Sequence, residues 1–153
     1  MIVLDCSAAV EMARKTSRGL GFRGLVLEGE RIIASELFRA ETRNALWRYV
    51  HSGMMTEEEA EGIIEDALDL VDEFVPLEEN AAEAFAEAVR QDHSVYDMFY
   101  LTLVRRNAAT LFSADKKLVA LCEEMKLDCV VEEPLYAIIC PRSPSARNAC
   151  GRG

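Results

Sequence analysis

The opening stretch Met1-Ile2-Val3-Leu4-Asp5-Cys6-Ser7-Ala8-Ala9-Val10-Glu11-Met12 decides the fold class. Ile2-Val3-Leu4 is a short continuous apolar run of the kind that forms a buried strand, and it stops at Asp5-Cys6-Ser7, which reads as a turn. Ala8 to Met12 then favours helix. A strand without polar alternation is covered on both faces, as strands of parallel sheets are, so the chain begins in the manner of an α/β fold.

The same grammar continues outward. Residues 17–30 carry four glycines and read as a loosely helical connection. Arg31-Ile-Ile-Ala34 is a second strand, Ser35 is expected to cap a long helix to about Ser52, and Gly53 fits its stop. Thr56-Glu-Glu-Glu59 is a capping box that opens a helix to about Val71. A strand at Glu73-Phe-Val-Pro-Leu77 precedes an alanine-rich helix from Asn80 to Gln91, and Ser94 opens another to about Asn107. Thr110-Leu-Phe-Ser113, a helix from Asp115 to Met125 and a last strand at Cys129-Val-Val131 complete the pattern. Strands alternating with helices imply a parallel sheet with helices on both faces. The expected organisation is one domain over residues 1–133 and an extension over 134–153. From about 141 that extension has the composition of a disordered end, with Arg142, Arg147 and Arg152 among Ser, Pro, Gly and Asn.

Composition narrows the function. At 153 residues and 50% hydrophobic, the chain can bury a core without disulfides or structural zinc. No apolar run approaches the roughly 20 residues of a membrane span, and the N-terminus lacks a basic, cleavable leader, so a cytoplasmic protein without a membrane partner is expected. The five cysteines are irregularly spaced with no C-x-x-C pair, and are expected to pack as reduced thiols. A net charge of −10 argues against the basic surface of a passive nucleic-acid binder. It is compatible with a nuclease that meets phosphate with metal charge.

Ligands of α/β sheets bind beyond the carboxyl ends of the strands. Asp5 closes the first strand, Asp115 follows the Thr110–Ser113 strand, and Asp97 lies in the first turn of a helix whose N-terminus faces the same edge. Each alone has an ordinary explanation as a helix cap or dipole partner. Their convergence does not. Glu41 falls among Leu37, Phe38 and Ala45, where a carboxylate is costly unless paired or metal-bound, and Asn44 one turn on is placed to orient it or to meet substrate. Arg14, Lys15, Arg18 and Arg23 read as scattered surface charge. Trp47, Tyr49 and Met54-Met55 are expected to pack in the core or in a dimer interface.

Val3-Leu-Asp5-Cys-Ser7, Ala40-Glu41-Thr-Arg-Asn44-Ala-Leu46, Val95-Tyr-Asp97-Met-Phe-Tyr100-Leu and Phe112-Ser113-Ala-Asp115-Lys-Lys-Leu118 resemble, in order, the four acidic motifs of PIN domains, especially those of VapC-type toxins. Cys6 and Ser113 are mild departures, standing where a small residue or Thr is usual. The resemblance covers residues 1 to about 131. It implies a three-layer sandwich around a five-stranded parallel sheet, and a ribonuclease dependent on magnesium or manganese. Asp5, Glu41, Asp97 and Asp115 would be the catalytic metal-binding carboxylates, and Ser7, Asn44 and Ser113 supporting or substrate-binding groups. An RNA substrate, a cognate antitoxin and a homodimer are the partners it implies. The chemistry would be in-line hydrolysis that leaves a 5′-phosphate.

Two other Asp-based chemistries fit less well. A phospho-accepting receiver needs an acidic pair after the first strand and a Lys after the fifth, but Asp5 stands alone and Glu132 follows Val131. A covalent-Asp phosphatase needs a second Asp at position 7, which is Ser. The remaining alternative is a non-catalytic PIN-like module that only binds RNA or protein. Loss of a carboxylate would favour it, and none is lost.

Overall fold

A computed structural model describes residues 1–130. Among them the chain forms β1 (Ile2–Leu4), α1 (Cys6–Ala13), α2 (Ser17–Leu25), β2 (Ile32–Ser35), α3 (Phe38–His51), α4 (Glu57–Leu68) and β3 (Glu73–Val75). A 3-10 turn at Leu77–Glu79 leads into α5 (Ala81–Gln91), α6 (Val95–Asn107), β4 (Thr110–Phe112) and α7 (Lys116–Glu124). The strands pair in parallel in the order β3-β2-β1-β4, with Val3 beside Ile33 on one side and Leu111 on the other. The chain thus builds outward from β1 to β3 and then crosses back to the opposite side of β1. The carboxyl ends of β1 and β4 flank that reversal, the place where such sheets open a crevice.

Alternation along the strands makes two cores. Val3, Ile33 and Leu111 face Ala84 and Ala88 of α5, Met98 and Leu101 of α6 and Leu118 of α7. Ile2, Leu4, Ala34 and Phe112 face Ala8 and Met12 of α1, Phe22 of α2 and Ala67 of α4. The result is three layers with helices on both faces of the sheet. Each fully buried Leu or Ile in it contributes roughly 1.5–3 kcal/mol. No helix among the described residues is long and apolar enough to cross a membrane.

Local chemistry explains most boundaries. Thr56 and Glu59 form the expected capping box, and Ser94 caps α6 by accepting from the Tyr96 N–H. The glycine-rich segment folds as α2 because it must press against α1: a Cβ on Gly19 would stand 1.9 Å from the Glu11 carbonyl oxygen. Buried Asn80 donates to the Phe99 carbonyl at 3.0 Å and to Thr102 Oγ1 at 2.8 Å, which locks α5 against α6.

The structure corrects several expectations. The sheet has four strands among the described residues. Where the fifth strand is expected, Cys129 makes an isolated parallel bridge to Leu111 and the Val130 N–H donates to the Leu111 carbonyl at 2.9 Å, while Val131 lies outside the described residues, as does the extension over 134–153. Ser35 ends β2 instead of capping α3; the helix starts at Phe38 without a side-chain cap. The Ser35 hydroxyl instead accepts from the Leu37 N–H at 3.3 Å, which shapes the strand-to-helix turn. The buried stripe of α3 runs through Phe38, Thr42 and Leu46, so Glu41 flanks the core and Asn44 is exposed. Trp47 is 57% exposed and stacks on His51, and Met54 is also exposed, so neither packs in the core. Tyr49 is partly buried under Arg14, whose guanidinium lies over its ring.

Candidate metal centre

Asp5 is the last residue before α1 and caps it: Oδ2 accepts from the Ser7 N–H at 3.3 Å. The same oxygen accepts from the Ser7 hydroxyl and, at 2.8 Å, from the Ser113 hydroxyl at the end of β4. Ser7 Oγ in turn accepts from the Ala114 N–H at 2.9 Å, and Ser113 Oγ from the Asp115 N–H at 3.0 Å. The turn after β1 and the turn after β4 are thereby tied together, with Asp5 buried between them. Every hydrogen bond described for its carboxylate ends on Oδ2, which leaves Oδ1 to face another ligand.

Glu41 comes to the same place from α3, half-buried, and its Oε2 accepts from the Tyr100 hydroxyl at 2.5 Å. Tyr100 is 2% exposed on α6, one turn after Asp97. Asp97 is half-buried, and its Oδ2 lies 3.1 Å from Nδ1 of His93. Asp115 caps α7 through Oδ1, which accepts from the Lys117 N–H at 2.8 Å, and is exposed.

The electrostatics link all four acids. Burial drives the Asp5 carboxyl above the usual carboxylate range; the Ser7 and Ser113 hydrogen bonds oppose the rise, and the charge of Asp115 adds to it. Burial also raises Glu41, against the Tyr100 hydrogen bond and with help from the charges of Asp5 and Asp97. Asp97 is raised first by burial; His93 opposes, while Asp115 and Asp5 push further. Like charges held this close without a counter-ion are what a cation relieves.

The donor set fits such an ion. Ligand atoms of Asp5, Cys6 and Glu41 all lie within 4.8 Å of one another. Opposite ligands of a single cation stand roughly 4–5 Å apart, so the trio can close on one. Asp97 and Asp115 stand outside that tight group, where their charge still reaches it. Of the supporting candidates, Ser7 and Ser113 bond Asp5 directly, while Asn44 is exposed on α3 with no contact to the acids described. Sequence reasoning missed the roles of Tyr100, His93 and Cys6. For Tyr100 the one-turn spacing from Asp97 was the available signal; for Cys6 it was adjacency to Asp5.

The PIN domain family model matches residues 2–124. The chain belongs to the PIN-domain family. Ribonuclease VapC3 of Pyrobaculum aerophilum is 26% identical over 122 residues, which cover 76% of this chain and 91% of that protein. Among solved structures, PAE2754 from Pyrobaculum aerophilum superposes with a TM-score of 0.61 at 21% identity, covering 78% of this chain and 82% of that one. VapC20 of Mycobacterium tuberculosis, a Sarcin-Ricin loop cleaving toxin, superposes with a TM-score of 0.58 at 18% identity, covering 79% of this chain and 95% of its own. These two likenesses establish the shared fold.

Proposed function

We propose that this PIN-domain protein is an endoribonuclease dependent on magnesium or manganese, and the toxin of a toxin–antitoxin pair. What supports the reading is the approach of ligand atoms of Asp5 and Glu41 to within 4.8 Å of each other beside the sheet's reversal point, with the charges of Asp97 and Asp115 felt there. The names of the VapC relatives supply the substrate class and the toxin role.

A hard divalent cation bound there supplies Lewis-acid activation of water and of the scissile phosphate. The chain's residues prepare that chemistry. Ser7 and Ser113 hold Asp5 Oδ2 and so fix the direction of Oδ1. Tyr100 fixes Glu41 in the same way and leaves Oε1 for the ion. Asp97 and Asp115 complete the negative field that draws the cation in or position the water. Asn44, exposed one turn beyond Glu41, is a substrate contact rather than a ligand.

An antitoxin fits the surface between α3 and α4. A cavity of about 260 Å³ there is lined by Leu46, Trp47, Val50 and Ile64 together with Glu57, Glu61 and Arg43. An apolar helix with a basic edge would fill it, and an Arg from the same partner would plug the acidic centre. A homodimer belongs to the same reading, with the exposed Phe85, Val89 and Tyr96 available to cover.

The test is RNA cleavage by purified protein with magnesium or manganese and with chelator. Cutting that needs the ion and disappears in Asp5→Asn supports the assignment; unchanged activity in that variant refutes it. Expression alone and beside the adjacent gene tests the toxin role, with growth arrest relieved by a co-purifying small protein as the expected outcome.

A further inference from the structure

Arg48 is set apart from the other arginines of this acidic chain by its place and by its lack of a partner. Glu41, Asn44 and Arg48 follow one another at i, i+3 and i+7 along α3, so they share one face of the helix. That face begins with Glu41 at the metal centre and runs roughly 10 Å along the helix axis to Arg48. Asn44 and Arg48 are both exposed on it. Other arginines are committed within the fold: Arg14 donates to the Tyr49 hydroxyl at 3.0 Å and Arg43 to the Arg39 carbonyl at 2.9 Å, while Arg31, Arg90, Arg105 and Arg106 pair with carboxylates. The Arg48 side chain has no hydrogen bond, ion pair or ring contact among the described residues. At Cys6, where burial and the Asp5 and Glu41 charges raise the thiol, the Arg48 charge opposes them, so it is felt at the centre. As a last-turn cation Arg48 also complements the helix dipole, a role that any position around the turn would serve; its alignment with Glu41 is what the dipole leaves unexplained.

We propose that Arg48 binds the RNA backbone: its guanidinium holds a phosphate that flanks the scissile one and, with Asn44 beside it, directs the strand along the exposed face of α3 into the metal centre. The inference rests on the nuclease reading and adds to it a residue outside the carboxylate set. In that reading the scissile phosphate meets the centre, and a strand anchored only there is free to pivot. A second contact two turns along α3 fixes its direction. Guanidinium suits the task, because it stays charged and its planar fork meets two phosphate oxygens at once. It also offsets the repulsion that a net charge of −10 sets against a polyanion.

The salt dependence of RNA binding tests this contact. One phosphate contact on a single strand contributes about 0.7 to the slope of log affinity against log salt, which is worth about fivefold between 1 M and 0.1 M salt. Arg48→Gln and Arg48→Lys both keep a good helix former on an exposed position, so both variants fold. A short fluorescein-labelled oligouridine is titrated with the full chain under chelator, where no cutting intervenes, and anisotropy reads the binding. The expected slope is shallower by about 0.7 in Arg48→Gln and close to wild type in Arg48→Lys. In a second arm, manganese-supported cleavage of the same RNA should show KM raised about fivefold at 0.1 M salt in Arg48→Gln, with kcat unchanged, since a flanking contact is made equally in the ground and transition states. A dipole partner would move stability and leave slope and KM alone, as would an arginine that serves an acidic protein partner; unmoved slope and KM overturn the inference. A chain that binds with an Arg48-dependent slope but never cuts refutes the nuclease reading and leaves the phosphate contact standing. A chain that cuts with slope and KM indifferent to Arg48 does the reverse, and one that neither binds nor cuts overturns both.

Discussion

Replacing Tyr100 with Phe removes one hydroxyl and little else, which makes it a sharp probe of how the centre holds its ion. Tyr100 is 2% exposed, and its hydroxyl donates to Glu41 Oε2 at 2.5 Å. Hydrogen bonds to charged groups are worth about 1.5–3 kcal/mol, which converts to roughly 10–150-fold in an equilibrium constant. Loss of such an outer partner from a metal ligand lowers metal affinity by about 10–100-fold. The two ranges overlap. Glu41 is only half-buried, so water replaces part of the lost contact, and the expected weakening lies near the low end, about tenfold.

Manganese binding measured by calorimetry on metal-free protein reads this change directly, and a pH series separates positioning from packing. The Tyr100 hydrogen bond lowers the Glu41 pKa against the larger effect of burial. Without it the protonated form gains, the pKa rises further, and the pH midpoint of manganese binding moves up. A Tyr100→Phe variant with affinity within twofold of wild type and an unmoved midpoint would refute the reasoning and leave Tyr100 a packing residue.

The other expectations follow from the same coordinates. Asp97→Asn should remove RNA cleavage while the circular dichroism spectrum stays unchanged, since the amide is nearly isosteric but a poor cation ligand; retained cutting excludes Asp97 from the centre. In metal-free protein, the raised pKa values of Asp5, Glu41 and Asp97 mean that the folded state binds their protons more tightly than the unfolded chain does. Their contribution to stability is therefore full below ordinary carboxylate values and is lost as pH rises through the folded values. The difference in denaturant midpoint, wild type minus Asp5→Asn, should accordingly fall as pH rises above the ordinary carboxylate range of about 4, and saturating manganese should flatten it; a difference that rises with pH contradicts the assignment. Gly19→Ala should cost at least about 2 kcal/mol in chemical denaturation, because its Cβ would meet backbone at 1.9 Å, and a smaller loss would mean α2 can shift away from α1.

Legibility in the sequence followed the range of the forces involved. The strand–turn–helix alternation was readable because continuous apolar runs, capping boxes and terminal glycines act within a few residues, and Thr56 with Glu59 is a direct case. The boundary at Ser35 was misread because Ser caps helices by default. Here a parallel partner, Val75 beside Ser35, extends β2 and leaves α3 to begin uncapped. The side of α3 that faces the core was misjudged because Thr42, a polar residue at 0% exposure, is satisfied by donating to the Phe38 carbonyl at 2.8 Å. Hydropathy counts Thr against burial, while its local hydrogen bond permits it. The network around Asp5 was not readable at all, since Ser7 and Ser113 lie 106 residues apart and meet only through the crossover to β4.

That network also resolves the tension between the two explanations each acid carried. Asp5 and Asp115 do cap α1 and α7, as ordinary helix-start aspartates do. Capping consumes one carboxylate oxygen and fixes the plane of the group against a rigid helix start, so the second oxygen points in a defined direction. Two caps at adjacent strand ends, tied by Ser7 and Ser113, thus preorganise charge in one place before any ion arrives. Folding and function consequently depend on different atoms of the same side chain. Asn at position 5 keeps the capping oxygen and loses the charge, whereas Ala loses both, so comparison of Asp5→Asn with Asp5→Ala separates the two contributions. The cap should appear as about 1 kcal/mol of stability present in Asn and missing in Ala, while metal binding is missing in both. Equal stability of the two variants would mean that neither the cap nor the Ser7 and Ser113 hydroxyl bonds to Asp5 stabilise the fold, and would refute preorganisation of the centre by these contacts.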